Sequence, residues 1–182
     1  MRTLYIGRME TEFTRPIRAG HIKDDAQTHV LLADEAARAL LAARFGLPGI
    51  AYLRGAFILQ HERSGIIAAK LHMRATVTQT CVVTLEPFET MIEERSDLRF
   101  VPAHSLSESE DLELDAETLE GPDELPYADG MLDLGEALAE QLALALDPYP
   151  RKPGAALPEE YEPTPENPFA VLALRRAGEA EK

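Results

Sequence analysis

The chain has 182 residues, 45% of them apolar and 6% aromatic, with no tryptophan. This length suits one domain with a core of Leu, Ile, Val and Ala, and the apolar content excludes a wholly disordered acidic protein. The single cysteine, Cys81, excludes an intramolecular disulfide and a zinc site of four thiolates. The N-terminus has no apolar run of signal-peptide length, and no stretch reaches the roughly 20 apolar residues of a membrane span. We therefore expect a cytoplasmic protein without membrane contact.

The net charge of −14 is concentrated in the middle of the chain. Residues 86–140 hold 18 acidic and 2 basic residues, a net charge of −16, whereas residues 1–85 hold 11 basic and 7 acidic residues. Because the charge is polarised, a mildly basic face that meets RNA is compatible with an acidic protein.

Two short strands are predicted at the start of the chain. Residues 10–18 (ETEFTRPIR) read as a strand, and Pro16 suits an edge because it cannot donate to a ladder. Residues 28–32 (THVLL) read as a second strand.

A first helix is predicted over residues 34–45. Asp34 is a suitable N-cap and Gly46 a suitable C-terminal stop, which Pro48 reinforces. Four apolar residues recur at helical spacing: Ala36, Leu40, Ala43 and Leu47.

The clearest strand signal covers residues 50–85. The runs IAYLRGAFILQ (50–60) and IIAAKLHMRATVTQTCVVTL (66–85) flank the turn HERSG, which predicts a long antiparallel hairpin. In the second run Leu71, Met73, Ala75 and Val77 alternate with His72, Arg74, Thr76 and Thr78. This alternation is typical of a strand with one buried and one wet face. PFETMIEE and LRFVP, which follow, predict one or two more strands.

Residues 104–126 are acidic with sparse leucines, which predicts a solvated, partly disordered insertion with room for one short strand.

A second helix is predicted over residues 133–146. Asp133 and Glu136 have capping-box spacing, and Asp147-Pro148 ends the helix. Its apolar stripe is Leu134, Leu138, Leu142, Ala145 and Leu146.

The C-terminal residues 151–182 are rich in proline and predict an extended tail. Phe169, Val171, Leu172 and Leu174 predict a short docking segment within it. The predicted fold is a single α+β domain over residues 1–150. It consists of an antiparallel sheet, with curling towards a barrel as one option, and two packed helices.

No catalytic, metal or cofactor site is predicted. The five histidines lack metal-ligand spacing, and no phosphate-binding glycine loop or dinucleotide fingerprint occurs. Cys81 has no neighbouring base or cation that would activate it as a nucleophile. We therefore expect a protein that is not an enzyme.

Two groups of residues are candidates for binding RNA or a protein partner. Arg54, Arg63, Lys70 and Arg74 of the hairpin could line one face together with Arg15 and Arg18, the alternative being scattered surface charge. Tyr149, Arg151 and Lys152 place an aromatic ring and two cations among prolines, which favours a compact recognition element. The alternative there is a stiff exit loop that packs Tyr149 onto the second helix.

Several segments together resemble the YceD family, the large ribosomal RNA subunit accumulation proteins. They are TCVVTLEPF (80–88), IEE (92–94), the acidic stretch, DLGEALAEQLALALDPYPRKPGA (133–155) and NPFAVLA (167–173). The resemblance covers roughly residues 10–175 and implies a bacterial cytoplasmic protein that supports synthesis, processing or accumulation of large-subunit (23S) ribosomal RNA. Many members carry a CxxC pair where this chain has Cys81 and Thr84, so a zinc or redox role is not implied here.

Two functional hypotheses follow. The first is a ribosome-biogenesis factor whose partner is a large-subunit rRNA precursor or an early assembly particle. The alternative is an acidic adaptor that holds a basic partner, such as a ribosomal protein, without contacting RNA. The concentrated charge of residues 86–140 favours the second hypothesis, and the resemblance favours the first.

Overall fold

A computed structural model describes residues 13–106 and 121–156, and the structural statements below concern these residues. The strands are β1 (Pro16–Arg18), β2 (Gln27–Leu32), β3 (Gly49–His61), β4 (Ile67–Thr80), β5 (Pro87–Pro102), β6 (Asp123–Tyr127) and β7 (Met131–Asp133). The α-helices are α1 (Glu35–Phe45), α2 (Ala103–Leu106) and α3 (Leu134–Ala145). Strands β2 to β6 form one sheet in chain order, and β1 pairs with β7 in a separate two-stranded sheet.

The predicted hairpin is confirmed as β3 and β4, which pair in antiparallel register from Gly49–Thr78 to His61–Ile67. Its turn is closed by Ser64 and Gly65, which both adopt positive φ angles. The runs PFETMIEE and LRFVP form one continuous strand of 16 residues, β5. Strand β4 alternates as predicted, with its odd-numbered residues in the core and its even-numbered residues on the other face.

The predicted antiparallel sheet is confirmed for β2 to β5, whereas β6 pairs with β5 in parallel. The option of a curl towards a barrel is not confirmed, since in the described part of the chain the outermost strands β2 and β6 do not pair with each other. The two longer helices belong to one hydrophobic core on a single face of the sheet, so that face is buried without closing the sheet. Helix α2 and strand β7 were not predicted.

Helix α1 begins as predicted, with the Asp34 carboxylate accepting a hydrogen bond from the Ala37 N–H at 2.9 Å. Its buried residues are Ala37, Leu41 and Ala42, whereas Ala36, Leu40 and Ala43 of the predicted stripe are exposed. The helix carries two adjacent apolar rows, and the row with Leu41 faces β3. Spacing alone does not choose between such rows.

Helix α3 is confirmed in its cap and its stripe. One oxygen of the Asp133 carboxylate accepts hydrogen bonds from the backbone N–H groups of Arg15 (2.8 Å), Gly135 (2.9 Å) and Glu136 (3.2 Å). Leu134, Leu138 and Leu142 are fully buried, and each contributes about 1.5–3 kcal/mol. The cap therefore joins the entry of β1 to the start of the main core helix.

Some predictions concern residues outside the described ranges. These are the first residues of the 10–18 strand, the centre of the acidic insertion, and most of the extended tail at 151–182 with its docking segment at 169–174. The ends of the predicted insertion form α2 and β6. No helix of the described residues is long and apolar enough to cross a membrane.

Candidate nucleic-acid interface

The face of the five-stranded sheet opposite α1 and α3 is lined by exposed and half-buried side chains. We call its central part the open face. It consists of three cross-strand rows, Thr28–Ile58–Lys70–Asp97, Val30–Ala56–His72–Arg95 and Leu32–Arg54–Arg74–Glu93. These rows hold four basic and two acidic side chains, a net charge of +2 with histidine neutral, whereas the whole chain carries −14.

Three of the predicted basic residues meet on the open face. Arg54 lies opposite Arg74 in the β3–β4 register, and Lys70 lies two rows away along β4, beyond His72. The register also brings in Arg95 of β5, opposite His72. Sequence reasoning missed Arg95 because it stands among acidic residues, and only the alternation along β5 could have indicated its side.

The cations of the open face differ in their ion pairing. Arg74 Nη2 lies 3.0 Å from Glu93 Oε1, and His72 Nε2 lies 2.7 Å from the same oxygen. Hydrogen bonds from His72 and Arg74 hold the pKa of Glu93 below its usual range. Within residues 13–106 and 121–156, Arg54, Lys70 and Arg95 form no ion pair, so their charges are free for a ligand.

Among the described residues, the grooves on this side of the sheet include two shallow ones that open-face cations line. One, of about 430 Å³, is lined by Ile58, Lys70, His72 and Arg95 among others. The second, of about 540 Å³, lies beside it between Arg74, Met91 and Tyr52. The Tyr52 ring is 39% exposed, and an exposed ring beside cations is a surface on which a nucleobase can stack.

Arg63 is not part of the open face. It lies in the turn between β3 and β4, at the end of the sheet where Arg99 Nε approaches Glu62 Oε2 at 3.5 Å. Of the four predicted hairpin cations, three therefore lie on the open face and Arg63 lies in the turn.

Tyr149, Arg151 and Lys152 lie beside the turn that joins β4 to β5. The Val82 N–H donates to the Pro150 carbonyl at 2.9 Å, and Lys152 Nζ donates to Glu86 Oε2 at 2.8 Å. The Tyr149 side chain is 73% exposed, which disfavours the alternative that it packs onto α3. These three residues form a second surface at the end of the hairpin opposite Arg63.

Buried Cys81 holds this second surface to the sheet. Its sulfur accepts hydrogen bonds from the backbone N–H groups of Val83 and Thr84, each at 3.4 Å. The Thr84 hydroxyl, and with it the backbone N–H of Lys152, lowers the pKa of the thiol from 9.0 to about 7. Cys81 therefore stabilises the turn and the exit of the chain from α3.

The described residues contain no group of three or more His, Cys, Asp or Glu side chains that could hold a metal ion.

A family model described as "Large ribosomal RNA subunit accumulation protein YceD" matches residues 69–174, more than half of the chain. The match confirms the resemblance seen in the segments from 80 to 173, and residues 10–68 lie outside it. A search among curated proteins and a search among solved structures gave no match.

Proposed function

The chain belongs to the YceD family of large ribosomal RNA subunit accumulation proteins, and from this membership we propose that it is a cytoplasmic, non-enzymatic ribosome-biogenesis factor. In this role it supports the synthesis, processing or accumulation of large-subunit (23S) ribosomal RNA. The family match is the observation that carries the proposal.

The open face is the surface that we assign to RNA. Arg54, Lys70 and Arg95 lie on neighbouring strands and form no ion pair with another described residue. Cations of this kind supply the phosphate contacts that dominate affinity for nucleic acids. Tyr52 adds an exposed ring at the edge of these rows. Proteins that bind single-stranded RNA combine cationic tracks with aromatic rings in this way.

Polarisation of charge supports the assignment to this face. A chain with a net charge of −14 repels RNA over most of its surface, so productive approach is restricted to a region where the sign reverses. The three rows of the open face have a net charge of +2. We therefore expect the ligand to meet the molecule on the side away from α1 and α3.

A depletion and rescue experiment tests the proposal. Removal of the protein is expected to lower large-subunit rRNA relative to small-subunit rRNA, and the wild-type chain is expected to restore the ratio. The variant Arg54→Ala/Lys70→Ala/Arg95→Ala is expected not to restore it. The control Arg18→Ala/Lys23→Ala/Arg63→Ala makes the same change in net charge away from the open face and is expected to rescue. An unchanged rRNA ratio after depletion contradicts the proposal.

The acidic adaptor is the second candidate function, favoured by the 18 acidic and 2 basic residues of positions 86–140. Such a segment suits a basic partner, for instance a ribosomal protein before assembly. Crosslinking in cells separates the two candidates. RNA crosslinks at Arg54, Lys70 or Arg95 support the first, whereas crosslinks to protein alone support the second.

A further inference from the structure

Strand β2 is an edge of the five-stranded sheet that the described residues form. In antiparallel pairs, residues alternate between those that bond to the partner strand and those that point away from it. Ala33 lies in register with Leu53 and donates its N–H to the Leu53 carbonyl at 3.0 Å. The odd-numbered residues of β2 therefore face β3, and Thr28, Val30 and Leu32 direct their N–H and C=O groups outward.

These outward groups have no backbone partner among residues 13–106 and 121–156. In the described part of the chain, helix α1 makes its main contacts with β3 and not with β2. Val30 and Leu32 are each 56% exposed. The edge thus combines unpaired hydrogen-bonding groups with apolar side chains, which is the combination that pairs with another strand.

The outer side of β5 is a second edge of the same sheet, and its charged side chains disfavour pairing with another strand. Residues 87–97 of β5 lie beyond the stretch that β6 covers, so in the described structure their outer side has no neighbouring strand. Five of these eleven residues are charged: Glu89, Glu93, Glu94, Arg95 and Asp97. Charged side chains are a common device against edge pairing. The six residues of β2, QTHVLL, contain no Lys, Arg, Asp or Glu and no proline.

We propose that β2 pairs with β2 of a second copy of this chain, antiparallel about a two-fold axis at Val30. In this register Val30 lies opposite Val30 of the other copy, and Thr28 lies opposite Leu32. Each of these three pairs exchanges two hydrogen bonds, so the interface gains about six. The arrangement is self-complementary, as a two-fold interface requires. It places no charge opposite another within β2, and it extends the sheet across both copies.

The occupant is assigned to a second copy because the strand itself carries no Asp, Glu, Lys or Arg and is complementary to itself in register. The charged residues lie just beyond its ends, with Asp25 on one side and Asp34 on the other. In the proposed register the two copies bring these acidic flanks towards each other. Salt screens such repulsion, so the dimer is expected to strengthen as the salt concentration rises. This dependence is opposite to that of RNA binding.

Disulfide trapping in the full-length chain tests the register. Paired residues at Val30 would have Cα atoms about 5.5 Å apart, within the range that a disulfide can bridge. Val30→Cys is therefore expected to form a disulfide-linked dimer on mild oxidation. Thr28→Cys is the matched control, because residue 28 of each copy lies about 14 Å from its counterpart and is expected not to crosslink. The wild-type chain controls for Cys81, which is buried.

Sedimentation equilibrium over roughly 1–200 µM tests the association itself, since a short strand interface is expected to be weak. Val30→Lys places two ammonium groups at the axis and is expected to give a monomer with an unchanged circular dichroism spectrum. Met91→Lys puts the same charge on an exposed residue of the β5 edge and is expected to remain dimeric.

A chain that stays monomeric up to 200 µM overturns the proposal. In that case another segment of this chain, or a strand of another protein, would be the partner of the β2 edge. A Val30→Lys dimer, or equal crosslinking of the two cysteine variants, overturns it as well. Each of these outcomes leaves the proposed role in rRNA accumulation intact, because that role is read from the rRNA ratio.

Discussion

The salt dependence of RNA binding offers a quantitative test of the open face. Each phosphate neutralised in single-stranded RNA contributes about −0.7 to the slope of log K against log salt concentration. Among the described residues, Arg54, Lys70 and Arg95 form no ion pair, whereas Arg74 is paired with Glu93. Three free cations therefore predict a contribution of about −2 to the slope. Between 50 and 200 mM salt this amounts to roughly a 15- to 20-fold loss of affinity.

Fluorescence anisotropy with a labelled single-stranded RNA measures this slope. The Arg54→Ala/Lys70→Ala/Arg95→Ala variant is expected to flatten the slope by about 2. Glu93→Gln removes the charge that neutralises Arg74 and is expected to steepen it by up to about 0.7. The Arg18→Ala/Lys23→Ala/Arg63→Ala control is expected to retain the wild-type slope. Equal flattening by both triple variants would refute the reasoning, because binding would then depend on total charge and not on this face.

Three further predictions concern the parts that hold the two surfaces in place. Asp133→Ala should lower the free energy of unfolding in urea by about 1–3 kcal/mol, since it loses a helix cap and the Arg15 hydrogen bond; an unchanged midpoint contradicts this. Gly135→Ala should also destabilise, by roughly 1–3 kcal/mol, because its Cβ would collide with the Phe13 carbonyl oxygen. A stabilised variant would show that helix propensity decides instead. The lowered pKa of Cys81, about 7 against 9.0, favours the folded state above pH 7, and this contribution is lost as the pH falls through 7. The free energy of unfolding of the wild type relative to that of Cys81→Ser should therefore rise from pH 6 to pH 9 under reducing conditions. Parallel pH profiles of the two proteins would contradict a stabilising role of the Cys81 thiolate.

The elements that sequence reasoning predicted well are those defined by local signals. The β3–β4 hairpin follows from alternation on either side of a turn, and α3 follows from the Asp133 cap and a single leucine stripe. Helix α1 was placed correctly along the chain, but its buried row was not, because two apolar rows satisfy the same spacing. Choosing between them requires knowledge of the sheet beneath.

Pairings between distant segments were not predictable from local signals. The β1–β7 sheet joins Pro16 to Asp133, and β6 returns beside β5 in parallel. The candidate interface shows the same limit. Arg54 and Arg74 become neighbours through the β3–β4 register, and Arg95 joins them through the β4–β5 register. A one-residue shift of either strand would have moved these side chains to the opposite face.

The parallel pairing of β5 with β6 constrains the length of the acidic segment that connects them but does not constrain its charge. Strand β5 ends at Pro102, and Asp123 at the start of β6 pairs beside Leu98, so the two ends of the connection lie apart along the sheet. This separation is about 15 Å, which five or six extended residues can cover, and residues 103–122 connect the two strands. The parallel topology thus requires a minimum length of the connection, but it does not require the connection to be acidic. We therefore expect that neutralising the acidic residues of this connection at constant length leaves the sheet intact, and that their charge serves function and not the fold.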